Sequence, residues 1–172
     1  EIEYSSYILY AGRISNEKGV NELIDIFSSL KTKYKLLIIG DGPEANNLKN
    51  QKNKNIKFLG ELNHQETLSY INNAKAVITN TKLFEGQPTL LCEASLLKVP
   101  SIFPDNGGIK EFFPEDYQLK FSNNDINSLR NILENLDSFD LTALGEENSI
   151  FTKKILNNEK LIRKFMDIYN NG

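Results

Sequence analysis

Short apolar runs alternate with stretches of helical periodicity along most of this chain, and that alternation restricts the fold more than any other feature. Strand candidates lie at residues 7–11, 35–39, 56–59, 76–79, 99–103 and 118–121. Several are apolar without strict alternation, as parallel strands covered on both faces are. Between them, Val20, Leu23, Ile24, Phe27 and Leu30 follow the 3.6-residue period, as do Ile126, Leu129, Leu133 and Leu136. Asn63 followed by Glu66 reads as a capping box opening a helix through Asn73. Gly42-Pro43 predicts another helix start directly after a strand. The expected fold is α/β: a doubly wound, Rossmann-like parallel sheet of about six strands. Residues 1–140 would form that domain. The rest of the chain reads as a helical segment packed across it, with Phe151, Ile155, Leu161, Ile162 and Phe165 as apolar marks.

Composition removes several function classes. A length of 172 residues suffices for one domain with a core, and a formal net charge of −3 argues against a nucleic-acid partner. The single cysteine, Cys92, excludes a disulfide framework within the chain and a cysteine-based zinc site. It lies in an apolar helical stretch and reads as a small buried hydrophobe. No apolar run approaches the roughly 18 residues of a membrane span, and no signal peptide is expected. A first residue that is glutamate points to a piece of a longer protein.

In parallel α/β sheets ligands gather at the carboxyl ends of the strands. Four segments fall there. Gly12 to Gly19 follows the first strand and carries Arg13, one of three arginines, and Lys18. A guanidinium can fork onto phosphate oxygens, and an ammonium adds a mobile point charge. Gly40-Asp41-Gly42-Pro43 is a tight strand-to-helix turn, and Gly60-Glu61-Leu62 offers exposed backbone to a planar base. The fourth segment sets Glu85 and Glu93 on either side of a helix start, with seven residues between them. Pro88 suits the first helical position, having no N–H to leave unpaired. Thr89 and Leu90 then present free N–H groups at the positive end of the helix dipole. An anion site flanked by two acids able to bind hydroxyls fits a sugar nucleotide, a diphosphate with polyols at both ends.

These segments together resemble the C-terminal, donor-binding half of a GT-B glycosyltransferase of the large retaining family called group 1 or GT4. The resemblance covers about residues 7–136. It rests on Gly12-Arg13 with Glu17-Lys18-Gly19, Ile39-Gly40-Asp41-Gly42-Pro43, Phe58-Leu59-Gly60, the Glu85/Glu93 pair, and Gly107-Gly108 with Glu111, five motifs in order at the family's spacing. It implies transfer of a hexose from a nucleoside-diphosphate sugar to a hydroxyl of a glycan, lipid or polyol, with retention, in bacterial surface glycan synthesis. It also implies that Arg13 and Lys18 bind the diphosphate and stabilise the leaving nucleotide. Glu85 would face the transferred sugar, Glu93 would bind the ribose hydroxyls, the Thr89 and Leu90 N–H groups would hold the distal phosphate, and Leu62 would contact the base. Gly12, Asp41, Gly86 and Gln87 complete the expected donor site. No Asp-x-Asp triplet occurs, so a metal-independent reaction without cofactor is expected. The acceptor-binding N-terminal domain is absent from this chain, and a cytoplasmic location is expected, with any membrane association residing in that missing half.

Two departures stand out, the missing acceptor half and the residues after Gly86. The family commonly has an aromatic residue and a glycine where this chain has Gln87 and Pro88. Proline cannot donate an N–H, so one backbone contact to the donor is lost or moved, and Gln87 can supply an amide instead. Blander readings exist for each residue: Arg13 and Lys18 as solvated loop charges, Glu85 as a helix cap, Glu93 paired with Lys98, Asp41 as a cap and His64 as a surface residue. A sugar-nucleotide epimerase of the same architecture and a non-catalytic binding module are the alternatives. A signalling receiver on a similar sheet would need an acidic cluster at a strand end, which is not found.

Overall fold

Runs of β-branched and aliphatic residues pair into one sheet, and the central runs are too apolar to face water on either side. The computed structural model describes residues 6–50 and 53–157. Its six strands are β1 (Tyr7–Ala11), β2 (Lys35–Ile39), β3 (Ile56–Gly60), β4 (Ala76–Ile78), β5 (Ser101–Pro104) and β6 (Lys120–Phe121). All neighbouring pairs are parallel, in the order β3-β2-β1-β4-β5-β6. Consecutive residues Tyr7 to Tyr10 in β1 and Leu36 to Ile39 in β2 are all buried, so both faces of the sheet are covered.

The covering helices are α1 (Val20–Ser29), α2 (Ala45–Lys49), α3 (His64–Asn73), α4 (Thr89–Leu96), α5 (Ile126–Glu134) and α6 (Leu141–Ile155). Helix α1 buries Val20, Leu23, Ile24 and Phe27 of the predicted stripe and Ile26 beside them, and ends before Leu30, its cap residue. The capping box opening α3 is present in both directions between Asn63 and Glu66. Asp125 caps α5 by accepting from the N–H groups of Asn127 and Ser128.

Several boundaries differ from the sequence reading. Pro88 has φ −81° and ψ 90°, so it precedes α4 as its cap residue, and the helix begins at Thr89. Helix α2 starts at Ala45, two residues after Pro43. Val99 is not in β5, because its N–H still bonds back to the Ala94 carbonyl at the end of α4.

The largest difference is in α6. Its buried residues include Leu144, Gly145, Asn148, Ser149 and Thr152, whereas Phe151 and Ile155 are only half-buried. A small, polar face therefore packs on α4. The Asn148 amide donates to Ser95 Oγ, which donates to the Leu91 carbonyl at 2.6 Å. The expected apolar marks Leu161, Ile162 and Phe165 lie outside the described residues. No helix among the described residues is long and apolar enough to cross a membrane.

The order 3-2-1-4-5-6 reverses direction between β1 and β4. At such a switch point the loops leaving the two central strands diverge to opposite faces and open a crevice at their carboxyl ends. The loop after β1 carries Gly12 to Gly19. The loop after β4 carries residues 79–88 and runs into α4.

Candidate functional site

Two contiguous hollows occupy this crevice. One, of about 240 Å³, is lined by Arg13, Lys18, Thr81, Glu85, Gln87 and the start of α4, among others. The other, of about 430 Å³, is lined by Gly40, Glu61, Leu62, Thr67 and Glu93. Ala11, Gly12 and Leu90 border both, so the two are halves of one groove.

Backbone contacts across the switch point bring the first hollow's charges together. The Lys82 N–H donates to the Glu17 carbonyl at 2.8 Å, and the Asn80 amide donates to the Gly19 carbonyl at 3.1 Å. Lys18 is thus anchored on both flanks to the loop that carries Glu85. Gly19 sits at φ +66°, and an added Cβ would lie 2.1 Å from the Asn80 carbonyl oxygen, so no other residue permits this approach. The Lys18 ammonium is consequently hydrogen-bonded to Glu85 Oε1. Thr81 Oγ1 donates to the same oxygen at 3.1 Å.

The Glu85 segment is also held from behind. The Gly108 N–H donates to the Glu85 carbonyl at 2.9 Å, and the Asn106 amide donates to the Leu83 carbonyl at 3.0 Å. Gly107 has φ +60° and sits where a Cβ would press on the Glu85 backbone at 2.9 Å. The Gly107-Gly108 motif therefore serves as the seat of the Glu85 loop. Glu111 is exposed and lines neither hollow.

Arg13 extends from the exit of β1, exposed, with no side-chain hydrogen bond or ion pair among the described residues. Its carbonyl accepts the buried Tyr10 hydroxyl at 2.7 Å. Burial, then the Glu85 carboxylate, push the Tyr10 hydroxyl well above its ordinary range, so it stays protonated and keeps donating. No side chain caps α4. Its first internal N–H bond runs from Cys92 to the Pro88 carbonyl at 3.0 Å. The Thr89 and Leu90 N–H groups take no partner among the described residues, and both residues line the first hollow. Two cations and an uncapped helix start border this hollow, an arrangement suited to an anion.

In the second hollow the Glu93 carboxylate accepts from His64 Nε2 at 2.8 Å, in the tautomer that carries its proton on that nitrogen. Lys98 instead pairs with Glu146, so the pairing of Glu93 with Lys98 weighed from the sequence is not formed. His64, read as a surface residue, is 71% exposed yet stands against the carboxylate of this hollow.

The crevice thus collects Gly12, Arg13, Lys18, Leu62, Glu85, Gln87, Thr89, Leu90 and Glu93. It does not collect Asp41 or Gly86. Asp41 is exposed; its carboxylate accepts the Gly42 N–H at 2.8 Å and its carbonyl accepts from Ile14, so it braces the loops after β1 and β2. Gly86 is exposed beside Glu85, outside both linings. Thr81, Tyr10, Asn80 and His64 had no signal in the sequence, because each acts through a contact that only the loop conformations create. Among the described residues, no group of three or more His, Cys, Asp or Glu side chains is placed to hold a metal ion.

Comparison with known proteins bears on the family and the fold. The amylovoran biosynthesis glycosyltransferase AmsD of Erwinia amylovora is 31% identical over 124 residues, 69% of this chain and 35% of AmsD. The chain spans about a third of the length of the curated relatives it matches. A TarM mutant from S. aureus, solved with fondaparinux, α-GlcNAc-glycerol and UDP, superposes with a TM-score of 0.84 at 18% identity over 96% of this chain and 36% of that one. Anabaena HepE in complex with UDP and glucose gives 0.78 at 15% identity, over 98% of this chain and 49% of its own. The shared fold is that of the C-terminal domain of GT-B glycosyltransferases. A family model described as glycosyl transferases group 1 matches residues 2–138, and the chain belongs to that family.

Proposed function

We propose that this chain is the donor-binding half of a longer, two-domain glycosyltransferase that moves a hexose from a nucleoside-diphosphate sugar to a hydroxyl acceptor with retention. The observation that carries this reading is the convergence of Arg13, Lys18 and the uncapped start of α4 on one hollow that Glu85 also borders. The diphosphate lies in that hollow and the nucleoside in the next, with Glu93 beside its ribose and Leu62 beside its base. Glu85 takes the hydroxyls of the sugar.

In the reaction the bond from the sugar's anomeric carbon to the β-phosphate oxygen breaks, and the electron pair stays on that oxygen. The acceptor oxygen bonds to the anomeric carbon, and its proton passes to the leaving phosphate oxygen. The charge that develops on the leaving phosphate meets Arg13, Lys18 and the Thr89 and Leu90 N–H groups. Fixed donors aimed at developing charge stabilise the transition state without reorganising. These groups act without a resident metal in this reading, at the cytoplasmic side of a surface-glycan pathway.

Calorimetric titration of a panel of nucleoside diphosphates and their sugars into the full-length protein tests the assignment. Binding of one nucleotide, weakened by Arg13→Ala, is expected. A protein that binds none of them overturns it.

A further inference from the structure

We infer that Thr81 is a positioning residue for Glu85, a role that rests on the donor reading above. Thr81 is buried, 2% exposed, in the loop after β4, and it borders the first hollow. Its hydroxyl has one proton to give, and it gives that proton to Glu85 Oε1 at 3.1 Å. Its oxygen in turn accepts the Leu83 N–H at 3.2 Å. Both of its described bonds stay within the 81–85 loop, so the hydroxyl has a single orientation and fixes the carboxylate relative to its own backbone.

The reason such a donor matters lies in Lys18. Both described bonds to the Glu85 carboxylate, from Lys18 and from Thr81, end on Oε1. When a diphosphate enters the hollow it competes for the Lys18 ammonium, since a doubly charged oxyanion group attracts a cation more than one carboxylate does. Lys18 is then drawn away from Glu85. Thr81 is the donor that remains, and it holds Oε1 in place so that Oε2 is presented to a sugar hydroxyl. Lys18 holds Glu85 only while the hollow is empty, whereas Thr81 holds it in both states.

The test uses the full-length protein with UDP-glucose, UDP-N-acetylglucosamine, ADP-glucose and GDP-mannose, following slow hydrolysis of whichever donor it accepts. Thr81→Val keeps the branched shape and removes the hydroxyl; it is expected to lower kcat about tenfold, the scale of one lost hydrogen bond to a charged group, with the Kd for the matching nucleoside diphosphate unchanged. Thr81→Ser is expected to restore most of kcat. In a Glu85→Gln background Thr81→Val should cost nothing further, because the two act as one unit. A Thr81→Val enzyme with the parent's kcat, a Thr81→Ser enzyme as slow as Thr81→Val, or a full additional loss in the Glu85→Gln background each overturns the role. Should Thr81→Val not fold, Thr81→Ser against Thr81→Ala carries the same comparison. A parent protein that binds and hydrolyses none of the four donors overturns the donor reading, whereas a working parent with an indifferent Thr81→Val variant overturns this inference alone.

Discussion

Lys18 and Glu85 form an ion pair across the point where the sheet reverses its strand order, although 67 residues separate them in the chain. Each side chain is about a quarter exposed. A pair in that setting contributes about 1 kcal/mol or less to stability, because solvent screens it and ordering two side chains costs entropy. Holding a cation at a developing phosphate charge is worth more, about 2.7–4 kcal/mol for one key donor. The two magnitudes separate a structural lysine from a catalytic one. Lys18→Ala is expected to lower transfer by the full-length enzyme on the order of 10²–10³-fold. Its thermal midpoint should move by only a few degrees. Steady-state kinetics beside a melting curve checks both, and near-normal turnover would remove Lys18 from the chemistry.

Gly107 and Gly86 flank the same glutamate and predict opposite outcomes. Gly107 sits at φ +60°, and an added Cβ would meet the Glu85 backbone N and O at 2.9 Å. Gly107→Ala therefore strains its own backbone and pushes on the Glu85 loop, at a cost of about 1–3 kcal/mol. Around Gly86 a Cβ meets nothing within 4 Å. Gly86→Ala should be within about 0.5 kcal/mol of the parent in urea unfolding. Any activity it loses then reports on the space beside Glu85 and not on folding. Equal destabilisation by both substitutions would contradict the clasp between Gly107-Gly108 and the Glu85 loop.

Glu93 and His64 make a graded pair of predictions in the second hollow. A carboxylate that accepts hydrogen bonds from ribose hydroxyls is worth about 1.5–3 kcal/mol, so Glu93→Gln should weaken nucleoside diphosphate binding about tenfold or more. His64 is far more exposed, at 71% against 25% for Glu93. It acts only by fixing the Glu93 rotamer, so His64→Ala should weaken binding by about threefold or less. Calorimetry on both variants orders them. A larger loss from His64→Ala than from Glu93→Gln would mean that the imidazole itself touches the nucleotide.

What the sequence disclosed follows the range of the interactions involved. Strands β1 and β2 are legible from their apolar runs because burial on both faces leaves no other composition possible. Arg13, Lys18, Glu85 and Glu93 are legible because each follows a strand at a spacing that puts it in the crevice. The packing face of α6 is not, since Gly145, Asn148, Ser149 and Thr152 carry no apolar period. They pack because a small face lets α6 approach α4 closely and bond to Ser95. Thr81 and His64 escaped for a related reason. A hydroxyl four residues before a glutamate, or a histidine at a helix start, has no distinguishing pattern until loops from distant segments are brought together.

Cys92 makes the last prediction, and its position pulls in two directions. A thiol in the first turns of a helix is drawn toward the thiolate by the helix dipole. Burial opposes this and wins: with the Glu93 carboxylate adding to it, burial pushes the Cys92 thiol from its ordinary 9.0 up to about 11. The native thiol should therefore react slowly with an aromatic disulfide reagent at pH 8 and rapidly once the chain is unfolded in urea. The same shift makes stability depend on pH. In the unfolded chain the thiol loses its proton near pH 9, and in the folded chain it keeps the proton to about pH 11. Above pH 9 the unfolded state thus binds fewer protons, and stability falls as pH rises. The contribution is complete below pH 9 and lost on the way to pH 11, on the order of 3 kcal/mol in all. The buried hydroxyls of Tyr7, Tyr10 and Tyr117 are shifted upward as well and add their own decline at the alkaline end. Cys92→Ala isolates the thiol's share. Urea unfolding between pH 8 and 11 should give a shallower loss for that variant than for the parent, and parallel curves would show that the thiol titrates alike in both states.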